Sequence, residues 1–450
     1  MFCFDDINAL AYDLPEGIKS LRYAGYFDRE ITAIDAMLRL DIPDTLRTRL
    51  TLEREVAVRM TQDYTTTYED MLAELRRRSP AFTAADLDRL IADGRADWRL
   101  REGHICFQND CIDSLHINAL PVIYHTEGEP QPKPMGNESM RMMKRDGKQG
   151  IRHHIRHTVC PADTAREDGR RILVHIPMPA ETDTQRNLRI LDATEGGYLS
   201  NAAQRTISFD TVDREGREYF AEYTFDAVQR YVPYKPEAVL AEQPSDYTWE
   251  QYPHIRFTPY LRALAAEIVG SETNALVKAR RIYDYITKHV AYSYMRNYLL
   301  IDNIPEYAAL NLRGDCGVQA LLFITLLRIA GIGAVWQSGM NIHPDHINSH
   351  DWARYYVAPF GWLYADLSCG GDAWCEGDTE LHDFYSRCTV PTRLIANDAF
   401  QTEFDPPKKH LRIDPFDNQI GEIEYEDRGL TSAERKFRRE NLGMTPLQTI

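Results

Sequence analysis

Cys316 is the residue whose type and position best suit nucleophilic chemistry. It follows Arg-Gly-Asp and opens a strongly apolar run that includes Leu322 and ends at Gly331. Such a run predicts a buried helix, and a cysteine in its first turn meets unpaired backbone N–H groups at the positive end of the helix dipole. Both features favour the thiolate, the reactive form of cysteine. The same N–H groups could bind an oxyanion, and Asp315 suits the N-cap of this helix.

A thiol nucleophile needs a base and a group that orients the base, and His350 and Asp366 suit these two roles. His350 opens the alternating segment HDWARYYV, which is followed by a Pro-Phe-Gly turn and by residues 362–366. We expect these two segments to pair as antiparallel strands. His350 and Asp366 would then lie close together, with the carboxylate accepting a hydrogen bond from the imidazole. The order Cys316, His350, Asp366 fits a helix followed by two neighbouring strands.

Taken together, these motifs resemble the transglutaminase-like superfamily over about residues 260–370. The core of that family has Gly-x-Cys on a helix, His-x-Trp at the start of a strand, and Asp at the end of the next strand after Gly-Trp. The matching residues are Gly314-Asp315-Cys316, His350-Asp351-Trp352, and Gly361-Trp362 leading to Asp366. The nearest likeness is to bacterial transglutaminase-like domain proteins.

This resemblance implies a papain-like α+β core, a Cys-His-Asp triad, and no metal or other cofactor for the chemistry itself. It leaves the acyl acceptor open, because members include protein cross-linkers, peptidases, glycopeptide amidases and relatives without activity. The family often has an aromatic or amide side chain upstream of the cysteine that binds the oxyanion. Tyr292, Tyr294 and Tyr298 are the candidates here, and we predict Tyr294. Trp352 and His346 are predicted to line the cleft.

Histidines near the predicted base also raise the possibility of a metal site. The spacing of His343, His346 and His350 would suit one face of a helix, but the Pro, Asn and Ser residues between them favour a loop. We therefore predict no metal ligands in this segment. Cys106 and Cys111 have no second pair at zinc-finger spacing, so we do not predict structural zinc either.

Composition limits the class of protein. The chain has 450 residues, of which 43% are apolar and 10% aromatic, and this predicts two or three folded domains rather than disorder. The net charge of −16 argues against nucleic acid as a partner, and no apolar run is long enough to predict a membrane span.

Cellular location is predicted from the first residues and the cysteines. The chain begins with acids where a secretory signal needs basic residues before an apolar run, so we expect a cytoplasmic protein. Most of the eight cysteines should then be reduced. We expect Cys369, Cys375 and Cys388 to be structural thiols, with redox regulation as the lesser alternative.

The fold class predicted is α+β: a helical N-terminal region, a β-rich domain, and a papain-like transglutaminase core in which the cysteine helix packs on an antiparallel sheet. Helical spacing marks much of the first hundred residues, alternating runs mark about 170–232, and helical spacing returns at 260–289. The Pro-, Gly- and charge-rich segment 124–150 predicts a loop or linker, and the charged C-terminal end predicts a surface helix and a tail. The boundaries predicted are a helical region at 1–120, a linker with a β-sandwich-like domain at 121–255, a catalytic domain at 256–400 and an extension at 401–450.

The function predicted is thiol-dependent hydrolysis of amide or peptide bonds in a peptide or protein substrate. Cys316 would attack the carbonyl, His350 would take the thiol proton and return it to the leaving amine, and Asp366 would orient the imidazole. Water would then resolve the thioester. One alternative is acyl transfer from protein glutamine to an amine, as in cross-linking, with the same triad. The other is a binding or scaffold protein that retains an inactive triad.

Overall fold

The computed structural model describes residues 3–119, 122–123 and 136–448. The N-terminal region is helical, as predicted, and a small sheet of three short strands is inserted in it. The third helix, Asp44–Asp63, packs its Leu52, Val56 and Met60 side chains into the same core as the central helices of the chain. The helices of this region are α1 Glu16–Ala24, α2 Phe27–Leu38, α3 Asp44–Asp63, α4 Tyr68–Arg78, α5 Ala84–Ala92 and α6 Cys111–Asn118, and the strands are β1 Thr66–Thr67, β2 Trp98–Arg101 and β3 His104–Phe107.

Two four-stranded antiparallel sheets form the β-rich part, in the orders β16-β5-β8-β7 and β17-β4-β9-β6. Their apolar faces share one core, to which Ile155, Val174, Phe209 and Tyr223 contribute. The strands are β4 Lys148–Pro161, β5 Arg171–Pro177, β6 Gln185–Ala193, β7 Tyr198–Leu199, β8 Thr206–Val212, β9 Tyr219–Arg230, β16 Glu422–Tyr425 and β17 Arg435–Pro446. The antiparallel, sandwich-like arrangement agrees with the alternation in the sequence.

The predicted C-terminal surface helix is wrong, because residues 435–446 form β17 and pair along nearly the whole of β4. Most side chains of β17 are partly or fully exposed, and charged side chains are usual on the edge strand of a sheet. The charged residues of this segment therefore indicated correctly that it is exposed, but they did not distinguish a helix from a strand. The partner strand that decides the element lies far away in the sequence.

The predicted loop at 124–150 is also wrong where the structure describes it. Residues Gly136–Asp146 form helix α7, which leads directly into β4. Met140 and Met143 lie at helical spacing on α7 and are buried, and this packing holds the helix in place. The Pro-rich part of the segment, 124–135, lies outside the described residues.

The central part is a four-stranded antiparallel sheet in the order β14-β13-β12-β15, with a buried helix packed on it. This α+β core agrees with the predicted fold class. Gly270 and Asn274 separate the first two helices, the glycine with a φ of 60° and the asparagine as an N-cap. The elements are α8 Pro259–Val269, α9 Ala275–His289, β10 Ala291–Tyr292, α10 Ile304–Asn311, β11 Arg313–Gly314, α11 Cys316–Ile329, β12 Ala334–Ile342, β13 Ile347–Val357, β14 Gly361–Ala365, α12 Leu367–Cys375, α13 Thr379–Tyr385 and β15 Arg393–Asn397.

The central sheet is joined to the sandwich. Met340, Ile342 and Leu394 of the central sheet belong to the same apolar core as the facing strands of the sandwich. None of the helices that the structure describes is both long and apolar enough to cross a membrane. The predicted boundaries at 121, 256 and 401 stay predictions, although residues 422–446 complete sheets whose other strands come from 148–230.

Candidate active site

Helix α11 begins at Cys316, as the sequence predicts. The Asp315 carboxylate caps it by accepting from the Val318 N–H at 2.9 Å. The residue after Cys316 must be glycine, because a Cβ at Gly317 would lie 2.1 Å from the Tyr298 hydroxyl and 2.8 Å from Asp351 Oδ2. The Gly-x-Cys-Gly pattern therefore lets the first turn of a buried helix come close to other polar groups. Cys316 itself is 8% exposed.

The hairpin β13–β14 brings His350 and Asp366 together. The strands pair with Ala353 opposite Ala365, so Asp366 follows directly after β14. His350 Nε2 donates to Asp366 Oδ2 at 2.9 Å, and both side chains are buried. Asp366 is also the N-cap of α12, where its Oδ1 accepts from the Cys369 N–H at 3.2 Å. Because Nε2 is engaged with the carboxylate, Nδ1 is the imidazole nitrogen left for a thiol.

Arg393 is a third residue in contact with the His350–Asp366 pair. It lies on β15 and is buried, and its Nη2 donates to Asp366 Oδ2 at 2.7 Å. Although burial alone would raise the pKa of Asp366, the charges of His350 and Arg393 hold that pKa well below its usual range. Asp366 is therefore a buried carboxylate with two cationic or hydrogen-bonding partners. Arg393 could not be recognised in the sequence, because no local motif connects it with the residues it contacts.

The Cys316 thiol contacts a different residue. Its Sγ donates to Asp351 Oδ2 at 3.2 Å, and among the hydrogen bonds of the described residues there is none between Cys316 and His350. Burial raises the pKa of the Cys316 thiol well above its usual value, and the neighbouring carboxyls of Asp351 and Asp315 raise it further. The expectation of a stabilised thiolate is therefore wrong for this state of the protein, because burial and nearby acids outweigh the helix N-terminus.

Asp351 belongs to a cluster of buried acids that the sequence analysis also missed. The Gln419 side-chain amide donates to Asp351 Oδ1 in a short contact and to the His350 carbonyl at 3.2 Å. The carboxyl of Asp417 lies next to that of Asp351, and the Asp417 backbone N–H donates to Asp414 Oδ1 at 3.3 Å. Burial and then the charge of Asp315 raise the pKa of Asp351 well above its usual range. The segment that bears Gln419 comes from the C-terminal part of the chain, where no motif was recognised.

The side chain of the predicted oxyanion residue, Tyr294, lies at the surface. The Tyr294 side chain is 45% exposed and packs edge-on against Tyr292. Tyr298 and Tyr292 are the tyrosines next to Cys316. The Tyr298 hydroxyl donates to Asp315 Oδ1 at 2.6 Å. Burial raises the pKa of Tyr292, and the charge of Cys316 raises it further. The structure therefore brings two of the three candidates to the nucleophile and leaves Tyr294 on the surface.

The two predicted cleft residues lie in different surroundings. Trp352 is fully buried, and its indole N–H donates to Gln337 Oε1 at 3.0 Å, because it lies in the middle of a central strand. His346 lies in the turn between β12 and β13, about half exposed, and its ring stacks on His343 at a centroid distance of 4.2 Å. This turn agrees with the loop predicted for the segment.

The described residues contain one group of three potential metal ligands, His350, Asp366 and Cys369, whose donor atoms lie within 4.8 Å of one another. Arg393 Nη2 is hydrogen-bonded to Asp366 and lies 3.3 Å from Cys369 Sγ. A metal ion at this point would meet the guanidinium charge at close range. We therefore assign these three residues to the hydrogen-bonded pair and its surroundings and not to a metal centre.

A cavity of about 980 Å³ lies between α3 and the C-terminal segments around residues 409–413 and 426–433. Its wall includes Arg59 and Asp63 of α3, Asn297, Ile413 and Arg428, but not Cys316. Asn297 donates to the Ile413 carbonyl at 2.7 Å. The cavity thus ends against the segment that continues into the acids Asp414 and Asp417.

Comparisons with known proteins agree with the resemblance seen in the motifs. Residues 262–367 match the model of the family described as the transglutaminase-like superfamily, and these residues include Cys316, His350 and Asp366. No curated protein matches the chain.

Two solved structures are similar at a low level. A candidate cysteine protease from Cytophaga hutchinsonii has 15% identity and a TM-score of 0.42, covering 66% of this chain and 91% of its own. The periplasmic domain of TgpA from Pseudomonas aeruginosa has 14% identity and a TM-score of 0.27, covering 58% of this chain and 100% of its own. Likenesses at this level carry no argument about the site.

Proposed function

We propose, from the match of residues 262–367 to the model of the transglutaminase-like superfamily, that the protein is a thiol-dependent hydrolase of amide or peptide bonds. Cys316 is the nucleophile, His350 the general base and acid, and Asp366 the group that orients the imidazole. The observation that carries the proposal is the buried hydrogen bond of 2.9 Å between His350 Nε2 and Asp366 Oδ2, next to a helix that begins with a cysteine.

The proposed reaction has two steps. His350 Nδ1 takes the thiol proton while Cys316 Sγ bonds to the substrate carbonyl carbon, and the C=O electron pair moves to oxygen. The intermediate collapses to a thioester when His350 gives the proton to the leaving amine. Water then attacks the thioester with His350 as base, and the thiol is restored.

The thiol of Cys316 faces Asp351 in this structure, so the reaction requires a rearrangement that brings Cys316 Sγ to His350. Neighbouring residues of a strand point to opposite faces, and the thiol lies on the side of Asp351. A contact between Cys316 Sγ and Nδ1 of His350 would replace the hydrogen bond to Asp351. We propose that substrate binding drives this exchange.

A second candidate function follows from the same contact. A thiol that is buried and whose pKa is raised is what a binding or scaffold protein with an inactive triad would have. Acyl transfer to an amine is a variant of the first proposal, since it differs only in the acceptor of the acyl group. A peptide or protein substrate and a cytoplasmic location are parts of the proposal that rest on the sequence alone.

The proposal is tested with p-nitrophenyl acetate as an acyl donor. The wild-type protein should release p-nitrophenolate and carry the acetyl group on Cys316, as read by peptide mass spectrometry. Cys316→Ala should abolish both signals. Cys388→Ala, which removes another buried thiol, is the matched control and should behave as wild type.

Equal turnover by Cys316→Ala would refute the proposed nucleophile. No acylation of Cys316 in the wild-type protein would favour the inactive-triad alternative. For the acyl acceptor, a casein substrate is followed both for release of ammonia or peptides and for incorporation of a fluorescent amine. Release without incorporation is the expected result.

A further inference from the structure

A chain of hydrogen bonds leads from the turn between β12 and β13 to the buried carboxylate of Asp366, and the triad has no role for its outer members. We infer that Asn341 and the neutral ring of His343 hold the Arg393 guanidinium in place beside that carboxylate. Protonation of His343 breaks the chain and slows the chemistry at Cys316. This inference rests on the proposed function and adds two positioning residues to it, one of which responds to pH.

The central sheet places Asn341 and Arg393 side by side. They are direct partners in the antiparallel pairing of β12 with β15, and side chains of such partners lie close together. Arg393 Nη1 donates to Asn341 Oδ1 in a short contact, and Nη2 donates to Asp366 Oδ2 at 2.7 Å. The Arg393 Nε has no partner among the described residues. Asn341 therefore holds one branch of the guanidinium while the other branch binds the carboxylate.

The contact with Arg393 fixes the orientation of the Asn341 amide. A guanidinium only donates hydrogen bonds, so the amide oxygen must face it and the NH2 group must point away. That NH2 group lies 2.9 Å from His343 Nε2. An amide nitrogen also only donates, so Nε2 must accept, and the proton of the neutral ring is on Nδ1. The order of donors and acceptors along the chain thus requires an unprotonated Nε2.

Protonation of His343 would set two donors against each other. An imidazolium carries a proton on both ring nitrogens, so Nε2–H would meet the NH2 group of Asn341. If the amide turned over to offer its oxygen, its nitrogen would face Arg393 Nη1, which is again a donor against a donor. One hydrogen bond of the chain is lost in either case, because a single amide cannot present its oxygen to both sides. Asp366 then depends on an arginine that is held less firmly.

The charged groups that face His343 come from its own turn and from the strands β15 and β13, and they are His346, Asp345, Arg393 and His350. Burial lowers the pKa of His343, and the charges of His346 and Arg393 lower it further, whereas Asp345 acts in the opposite direction. The contact from β17 is uncharged, since the Asn441 amide donates to the His343 carbonyl at 2.8 Å. The chain is therefore complete at neutral pH and opens in acid.

The position of His343 suits a group that responds to the pH of the surrounding solvent. Its side chain is partly exposed, whereas Arg393 and Asp366 are buried. Histidine is the side chain whose charge ordinarily changes near pH 6.5. A proton taken up at the surface thus alters the contacts of a buried carboxylate that the solvent does not reach.

The test follows acylation of Cys316 by p-nitrophenyl acetate between pH 8 and pH 5. His343→Gln offers an oxygen to the Asn341 amide but does not titrate, so it should acylate within about threefold of wild type at pH 8. The wild-type rate divided by the His343→Gln rate cancels the titration of His350, which both proteins share. This ratio should fall with decreasing pH and reach about half of its plateau value at the pKa of His343.

Two further variants and one spectroscopic measurement complete the test. Asn341→Leu removes the support of Arg393 and should slow acylation about 10- to 100-fold at pH 8. His154→Gln removes a partly buried histidine that is hydrogen-bonded to Glu222, outside the chain, and should follow the wild-type pH profile. Nitrogen-15 NMR of the wild-type protein should find the proton of the neutral His343 ring on Nδ1, and the same spectra give its pKa. Thermal unfolding at each pH checks that the compared proteins are folded.

Each other outcome overturns the inference. A constant ratio from pH 8 to pH 5 would show that His343 does not control the site, and a loss of the acid step in His154→Gln would show that the step is not specific. A folded Asn341→Leu protein with the wild-type rate would show that Arg393 needs no such support. A ring proton on Nε2 of neutral His343 would contradict the contact itself, even if Asn341→Leu failed to fold. Failure of the wild-type protein to acylate Cys316 at any pH would instead refute the proposed function, and the NMR result would still decide whether the chain exists.

Discussion

Substitution of Arg393 by methionine tests how the site keeps a carboxylate in its interior. The Arg393 guanidinium lies 2.7 Å from Asp366 Oδ2, and both side chains are almost wholly shielded from solvent. Methionine preserves much of the volume of the side chain and removes the charge. Asp366 then keeps only the imidazole of His350 and the Cys369 N–H among the contacts described above.

The loss of stability should be large. Removal of one partner from a buried ion pair costs about 3–5 kcal/mol, because a charge is left in the interior without compensation. Because His350 still donates a hydrogen bond to Asp366, we expect a loss of unfolding free energy near the lower end of that range. Acylation of Cys316 should fall about 10- to 100-fold, because small displacements of reacting groups have effects of this size. Arg393 is a positioning residue, since it acts through Asp366 and His350.

The assays are thermal unfolding and acylation by p-nitrophenyl acetate, compared with a matched control. Arg49→Met removes a buried arginine 2.7 Å from Glu53, which keeps Arg22 as a second partner. The control should lose comparable stability and acylate normally. The double variant Arg393→Met with Asp366→Asn should recover part of the stability, because the unpaired charge is gone, but not the activity. An Arg393→Met protein with wild-type stability and acylation would refute the argument.

Two further predictions concern acid and metal ions. Burial lowers the pKa of His153 to about 4 and of His175 and His254 to about 3. These pKa values in the folded protein lie below the unfolded value of about 6.5, so acid favours the unfolded state, in which the histidines are protonated more readily. The contribution of each neutral histidine to the free energy of unfolding is therefore complete above pH 6.5 and is lost as the pH falls towards 4. The loss should be on the order of 3 kcal/mol for each histidine, and a melting temperature that stays constant from pH 6.5 to 4 would contradict it. Exhaustive chelation should leave acylation of Cys316 unchanged, because the proposed nucleophile is a thiolate; loss on chelation with recovery in zinc would refute this mechanism.

The parts of the site that could be predicted from the sequence are those with local patterns. The apolar run after Cys316 marks a buried helix, and the alternation after His350, with a turn before Asp366, marks a hairpin that places the two side chains 2.9 Å apart. The periods of helix and strand are properties of neighbouring residues. This is why these elements, and the α+β fold class, could be recognised in a single sequence.

The parts that could not be predicted depend on pairing between distant segments. Arg393 reaches Asp366 from a strand at the other edge of the sheet. Gln419 reaches Asp351 across 68 positions of the chain. The raised pKa of the Cys316 thiol could not be foreseen either, because it depends on burial and on the neighbouring acids Asp351 and Asp315. The position at a helix N-terminus alone predicts a lowered pKa for this thiol.

The C-terminal strands connect the sandwich to the proposed nucleophile. Arg439 of β17 donates to the Gln419 carbonyl at 2.8 Å and to the Ser349 hydroxyl at 3.0 Å. Gln419 in turn donates to Asp351, which contacts Cys316. A chain that ended at residue 400 would keep Cys316, His350 and Asp366 but lose the hydrogen bonds that orient Asp351, together with one edge strand from each sheet of the sandwich. The region outside the matched family core therefore forms one wall of the site, and differences in that wall can change the chemistry of Cys316 without any change in the triad.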